Sequence, residues 1–355
     1  MNTKIFLAGC LATISIMQTP CMLSVSAQGL GGIGTPYKIT GPFQSKNLSV
    51  FLIKSGKPAK TNNIITLQQA LKEKKVVVSE TGEVNNLAVQ NLSNETVFIQ
   101  SGDIVKGGRQ DRTMQYDMIL PPHSGKIPLP AFCVEEHRWT GRANESDGAF
   151  NSSNNSLVGK ELKLAARKSA DQEQVWHQVA QGREILAKAA YAMPASAGPV
   201  SASPSPPALG GAGGSFELAL EDKKVSEMIG KQVNDLQHIG DGKDDIIGYA
   251  IAINGKLNSL DVYASHDLFA KVWPKQLKSA VLEANECANQ HAQSKQVEPA
   301  AVGQVLAAAE KARPSREAAS NRQTQLVDRE TKENFLTQTL DKTSGSLIHE
   351  NLIVK

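Results

Sequence analysis

The stretch Gly102-Asp103-Ile104-Val105-Lys106-Gly107-Gly108-Arg109-Gln110-Asp111-Arg112 concentrates three cations and two adjacent glycines behind a run of strand-forming residues. Successive glycines can take positive φ and turn consecutive N–H groups toward one point. With Lys106, Arg109 and Arg112 beside it, such a turn could cradle an anion, with Asp103, Gly107, Gly108 and Gln110 completing the lining. It is not a P-loop, because the Walker spacing is absent, and no Gly-x-Gly-x-x-Gly follows a parallel strand. The alternative is a glycine-bent hairpin whose cations pair with Asp103 and Asp111 in solvent.

A second crowd of reactive types is Cys133-Val134-Glu135-Glu136-His137-Arg138-Trp139. On a strand, Cys133, Glu135 and His137 share one face and Val134, Glu136 and Arg138 the other, with Cys133 about 13 Å from His137. A direct Cys-His pair then requires a bend or a different histidine, and Glu135 and Glu136 point apart and make no ready carboxylate dyad. The bland alternative is a half-buried Cys133, Glu135 or Glu136 paired with Arg109, Arg112 or Arg138, and Trp139 closing a core edge. No Cys-x-x-Cys, His-Glu-x-x-His or zinc-like ligand spacing occurs, so neither a metal nor another cofactor is expected.

The elements that position these stretches are strands and helices in alternation. A short strand at 48–53 precedes a helix at 66–74 with Thr66 as its cap. Runs at 76–78, 87–90, 97–100, 113–120 and 126–134, separated by turn residues, predict sheet with tight connections. An Asn-, Ser- and Gly-rich loop covers 140–156, and a pair of helices fits 159–191. Residues 191–214 are Ala, Gly, Pro or Ser at all but four positions and are expected to be disordered. Helix returns at 216–239. Asn254-Gly255 between 246–253 and 257–263 is the strongest hairpin signal. A helix spans 267–287, kinked or divided at Pro274. Another follows at 302–312, then polar chain to 325 and a closing hairpin around Ser344-Gly345. The fold class expected is α+β, a largely antiparallel sheet core with several packed helices and a long low-complexity insertion.

The chain has 355 residues and a formal charge of +3. Near-neutral charge argues against an electrostatic nucleic-acid binder, and no apolar run reaches membrane-spanning length beyond the N-terminus. Lys4, the apolar stretch 5–17 and Val25-Ser26-Ala27 read as a signal peptide over 1–27, cleaved after Ala27. That predicts export to the periplasm or beyond. Leu7-Ala8-Gly9-Cys10 spells a lipobox, but Lys4 stands too close to Cys10 for a full apolar region between them. Cys133 and Cys287 would remain, as free thiols or as one bridge.

At the same residues the sequence resembles the ARG and rhodanese-phosphatase-superfamily-associated domain family, ARPP-1. The resemblance is carried by Asn47-Leu48-Ser49-Val50-Phe51, Leu67 to Leu71, Val97 to Arg112, Ile127-Pro128, Cys133 to Trp139, Gly248-Tyr249-Ala250, Asn254-Gly255 and Asp267 to Ala280. It spans 37–290, leaving 291–355 as an extension, and departs from the family pattern at His137, where glycine is expected. The family takes its name from neighbours that act on ADP-ribosylated substrates and phosphates, which implies an anionic or nucleotide-ribose ligand.

Three readings follow. In the first, a secreted module binds an anionic small molecule or a protein partner through Asp103, Lys106, Arg109, Gln110, Arg112, Glu135 and Arg138, without turnover. In the second, a hydrolase of a phosphorylated or ADP-ribose-like substrate uses Glu135 as general base, with Arg109 and Arg112 stabilising developing negative charge. In the third, buried Arg-carboxylate pairs hold a sheet and need no ligand.

Overall fold

The computed structural model describes residues 37–56, 64–142, 145, 148–153, 157–191, 205–288 and 296–355. The leader and residues 192–204 of the low-complexity insertion lie outside the described residues. β1 (Lys38–Ser45) and β2 (Leu48–Lys54) form a hairpin. β3 (Ile64–Thr66) runs directly into α1 (Leu67–Lys72), whose first turn is capped by the Thr66 side chain accepting from the Gln69 N–H. Next come β4 (Val76–Glu83), β5 (Asn86–Asn91) and β6 (Thr96–Ile99). The glycine-rich stretch supplies β7 (Ile104–Gly107) and β8 (Arg112–Met114), followed by β9 (Met118–Leu120), β10 (Gly125–Cys133) and β11 (Phe150–Ser152).

The helices enter in the middle of the chain. α2 (Lys160–Leu164) widens into a π-helical turn over Ala165–Ser169, and α3 (Gln172–Ala190) starts at the Asp171 cap. α4 (Phe216–Leu220) and α5 (Lys223–Leu236) are capped by Ser215 and Asp222. They divide the single helix expected over 216–239. β12 (Ile246–Ile253) and β13 (Lys256–Tyr263) flank Asn254 and Gly255 at φ +52° and +75°, the two positive values a type I′ turn needs. α6 (His266–Glu286) passes through Pro274 as one helix, not two. α7 (Pro299–Lys311) begins on a proline, and β14 (Pro314–Ala319), β15 (Thr324–Glu330), β16 (Asn334–Asp341) and β17 (Leu347–Val354) complete the chain.

These strands form three sheets, ordered β1-β2-β12-β13-β17-β16-β15-β14, β11-β7-β8-β10-β5-β4, and β3-β6-β9. Every pair among the described residues is antiparallel except β3 with β6, so the fold is α+β with a largely antiparallel core. The segment set apart after 290 gives four strands to the eight-stranded sheet, with β17 paired to β13. Strand periodicity divides β2 between two cores. Leu48, Val50 and Leu52 pack in the core with α3, α5 and α6, while Phe51 and Ile53 pack with Val302, Leu306 and Ala309 of α7. A third core, around Val78, Val89, Val97 and Leu120, joins the two smaller sheets and α1.

Candidate functional site

β7 and β8 pair as Ile104↔Thr113 and Val105↔Arg112, which makes 107–111 the tip of a bent hairpin. Gly107 and Gly108 take φ +123° and +54°, conformations glycine adopts without strain. The N–H groups do not gather around an open point. Gly107 donates to Asp111 Oδ1 at 3.0 Å, Gly108 to the Ala149 carbonyl at 3.0 Å, and Arg109 to Glu80 Oε1 at 3.0 Å. The carbonyls converge instead, with Gly108 O and Gly107 O accepting from Arg138 Nη1 and Nη2 at 2.8 and 3.2 Å. The expected anion cradle is therefore corrected to a guanidinium cradle: the donors are satisfied internally, and a cation fills the bend.

β10 ends at Cys133, so the residues after it leave the strand and the two-face alternation expected for 133–139 does not hold. The bend brings Arg138 back onto Glu135. Glu135 is buried, and its Oε2 accepts from Arg138 Nε at 2.8 Å, Arg142 Nη2 at 3.2 Å and the Asp111 N–H at 3.3 Å. Asp111, also buried, accepts from Arg138 and from both terminal nitrogens of Arg142, and at 2.7 Å from Ser215 Oγ. Burial first, and the Asp111 charge second, raise the Glu135 carboxyl above its ordinary range, against the pull of Arg142 and Arg138. The centre is thus two carboxylates and two guanidiniums closed on one another.

The other expected site residues divide around this centre. Arg112 is buried, with Nη1 donating to the Gln110 carbonyl at 3.0 Å and Nη2 lying 3.5 Å from Glu80. Gln110 is buried and reaches the Glu136 carbonyl at 3.5 Å. Asp103 lies at the far end of the hairpin, bonded to Gln100 N and Lys275 of α6, and Lys106 pairs with Glu221 at 2.6 Å. Arg109, Glu136 and His137 are exposed, with His137 Nε2 3.5 Å from the Glu136 carboxyl, and Trp139 is 52% exposed. Cys133 is a free, buried thiol pushed up to about 11 by burial, which keeps it from acting as a thiolate at neutral pH. Cys287 is also free.

Sequence reasoning missed Arg142, which sat inside a segment read as a polar surface loop, and gave Asp111 only a peripheral part. It also missed the glycine-rich end of the insertion. Gly213 accepts from the His137 N–H at 3.4 Å, and a Cβ at Gly213 would fall 2.6 Å from Glu135 Oε1. His349, which belongs to no metal-ligand spacing in the sequence, is buried as well. His349 lies between Asp117 Oδ2 at 2.7 Å and Asp261 Oδ1 at 2.9 Å, stacked on Tyr263 with ring centroids 4.6 Å apart. His349, Asp117 and Asp261 are far apart in sequence, so no local spacing announces their contact.

An α+β protein with a buried Arg-carboxylate centre at a glycine-bent hairpin is the class that fold and site define. Residues 36–353 match the ARG and Rhodanese-Phosphatase-superfamily-associated Protein domain, ARPP-1, and the chain belongs to that family. The match runs past 290 and takes in β14 to β17. No curated protein and no solved structure matches the chain.

Proposed function

We propose that this ARPP-1 protein is an exported binding module that engages an anionic small molecule or protein partner on the surface around Arg109, without turnover. One observation carries the reading: the carboxylates of Asp111 and Glu135 and the guanidiniums of Arg138 and Arg142 are consumed by each other, while Arg109 stands exposed on a tip whose neighbours, Gly108 and Gln110, touch the 135–138 segment. The rigid centre then serves as a base for a recognition surface that includes Trp139, and Arg and Trp are the types most often dominant in such surfaces. Export through cleavage after Ala27 belongs to the same proposal.

The test is a thermal-shift screen of the purified protein against phosphates, nucleotides, ADP-ribose and sugars, run beside Arg109→Glu. The expected result is a compound that raises the melting temperature of the wild type and leaves the variant unmoved, the variant itself melting near the wild type. A compound that stabilises both equally moves the site away from Arg109, and a variant that fails to fold makes Arg109 part of a structural network. The raised carboxyl of Glu135 favours a second reading, in which it is a general base. Three donors already converge on its Oε2, so Glu135→Gln is expected to lose stability; a variant that stays folded and loses only turnover supports the hydrolase.

A further inference from the structure

A groove of about 350 Å³ opens where the C-terminal end of α6 meets the β12–β13 turn and the flank of α3. It shares no residue with the Arg-carboxylate centre. Ile185 and Phe216 belong to its apolar wall, and Glu283, Glu286 and Asn258 supply acceptors.

The acidic end is placed against helix electrostatics. A helix C-terminus carries partial negative charge and favours cations, yet the last turn of α6 has no basic residue. Glu283 and Glu286, three positions apart, fall on one side of the helix as like charges. Glu283 is provided for, its Oε1 accepting from the Lys160 N–H and its Oε2 from Asn258 Nδ2, both at 3.1 Å. Nothing among the described residues hydrogen-bonds to the Glu286 carboxyl. Asn258 is only 6% exposed and its Oδ1 has no donor among the described residues; because its Nδ2 is committed to Glu283, the acceptor end of the amide is fixed. The bordering lysines do not fill the gap, since Lys160 gives its ammonium to the Val354 carbonyl at 3.2 Å and Lys256 is exposed on the turn. Burial, and then the Glu283 charge, push the Glu286 carboxyl up to about 8.

A carboxyl and an amide oxygen without partners beside an apolar wall suit a ligand with several donors, a hydrocarbon body and a positive charge that takes the place of the Glu286 proton. An ammonium has three donors and no acceptor. A calcium ion takes six to eight oxygens, more than this donor set holds. We propose that the groove binds a primary amine carried on an apolar body, with the ammonium between Glu286 and Asn258 and the chain along Phe216 and Ile185. A free alkylamine and a lysine side chain of another protein share this chemistry.

Calorimetry on the full chain tests it, with n-pentylamine, N-acetyl-lysinamide, 1-pentanol, pentanoate and calcium chloride as probes. Pentylamine is expected to bind and pentanol and pentanoate not to. Near pH 7 binding should release protons, read from the dependence of the heat on buffer ionisation enthalpy, because pairing draws the proton off Glu286. Glu286→Gln should keep the fold and lose at least about tenfold in affinity, worth about 1.4 kcal/mol; Glu286→Asp, which keeps the charge, should lose less and serves if the Gln variant does not fold. Binding of N-acetyl-lysinamide at comparable strength assigns the site to a lysine-bearing partner, and preference for pentylamine assigns it to a free amine. Equal binding of pentanol, unchanged affinity in Glu286→Gln, a response to calcium alone, or no response to either amine overturns the proposal.

Discussion

A guanidinium gripped on every edge behaves as a structural part. Arg138 donates to Glu135 Oε2, to the carbonyls of Gly107, Gly108 and Thr140, and to Asp111 Oδ1, with its side chain 11% exposed. Removing one partner of such a buried set leaves carboxylates without their countercharge and costs about 3–5 kcal/mol. Arg138→Met is therefore expected to lose stability of that size in urea unfolding, and Arg138→Lys to lose an intermediate amount, because an ammonium cannot reproduce the planar fork. Arg109→Ala, on the same motif but exposed, should stay within about 0.5 kcal/mol of wild type. Similar losses for Arg109 and Arg138 would contradict the division into a buried base and an exposed tip. Glu135 with Arg138 was among the pairings the sequence left open, but the closure of the centre through Asp111 and Arg142 was not legible there. A glycine-bent turn can present its N–H groups or its carbonyls, and what decides between them here is Arg138, 30 positions beyond Gly108.

At the scale of elements, the β7–β8 tip depends on its glycines for two separable reasons. Gly107 has φ +123°, and a Cβ there would stand 2.8 Å from the Ala149 carbonyl oxygen, a backbone atom that cannot swing away. Gly82, in β4, isolates the conformational reason, with φ +89° and nothing within 4 Å of where a Cβ would stand. Gly82→Ala should therefore cost only the conformational strain, about 1 kcal/mol, and Gly107→Ala about 2–3 kcal/mol. The check is the denaturant midpoint of each variant at unchanged m-value. Equal costs would mean that β11 gives way to the added methyl. Elements with local signals were legible: the Asn254-Gly255 turn, the Thr66 cap and the closing hairpin all carry their instructions in adjacent residues. β14 and β15 were not. β14 is an edge strand of Pro, Ser, Arg, Glu and Ala, exposed along most of its length, so it lacks the apolar alternation that marks a strand. β15 pairs between β14 and β16, and the register that makes it a strand is set by those neighbours. Strand order was equally hidden, since β2 beside β12 and β13 beside β17 are long-range pairings.

At the scale of the molecule, His349 fastens the two sheet systems together. It lies on β17 and Asp261 on β13, in the eight-stranded sheet, whereas Asp117 immediately precedes β9 of the three-stranded sheet. Thr339 of β16 reaches the same Asp117 carboxylate at 2.6 Å, and the Ser101 N–H reaches it at 2.7 Å. Burial alone would lower the His349 pKa, but the Asp117 charge and the bonds to Asp117 and Asp261 hold it up to about 9. Burial likewise opposes the Asp117 carboxylate, yet His349 keeps it down to about 2. The signs set a window. A histidine raised from 6.5 to about 9 contributes its full stability below pH 6.5 and loses it as pH rises through 9. A carboxylate lowered from 3.8 to about 2 contributes above pH 3.8 and loses it as pH falls through 2. Buried Glu350, raised to about 7 by burial and then by Glu310, also drains stability as pH rises, so the wild-type curve by itself does not isolate the histidine. The difference between wild type and His349→Gln does. In urea unfolding it should be largest between about pH 4 and 6.5 and shrink by on the order of 3 kcal/mol toward pH 9.5, as the imidazolium between the sheets loses its proton. A difference that stays constant across that range would mean the joint is held by packing against Tyr263 and against Phe98, whose ring stands edge-on to the imidazole with centroids 5.6 Å apart, and not by charge.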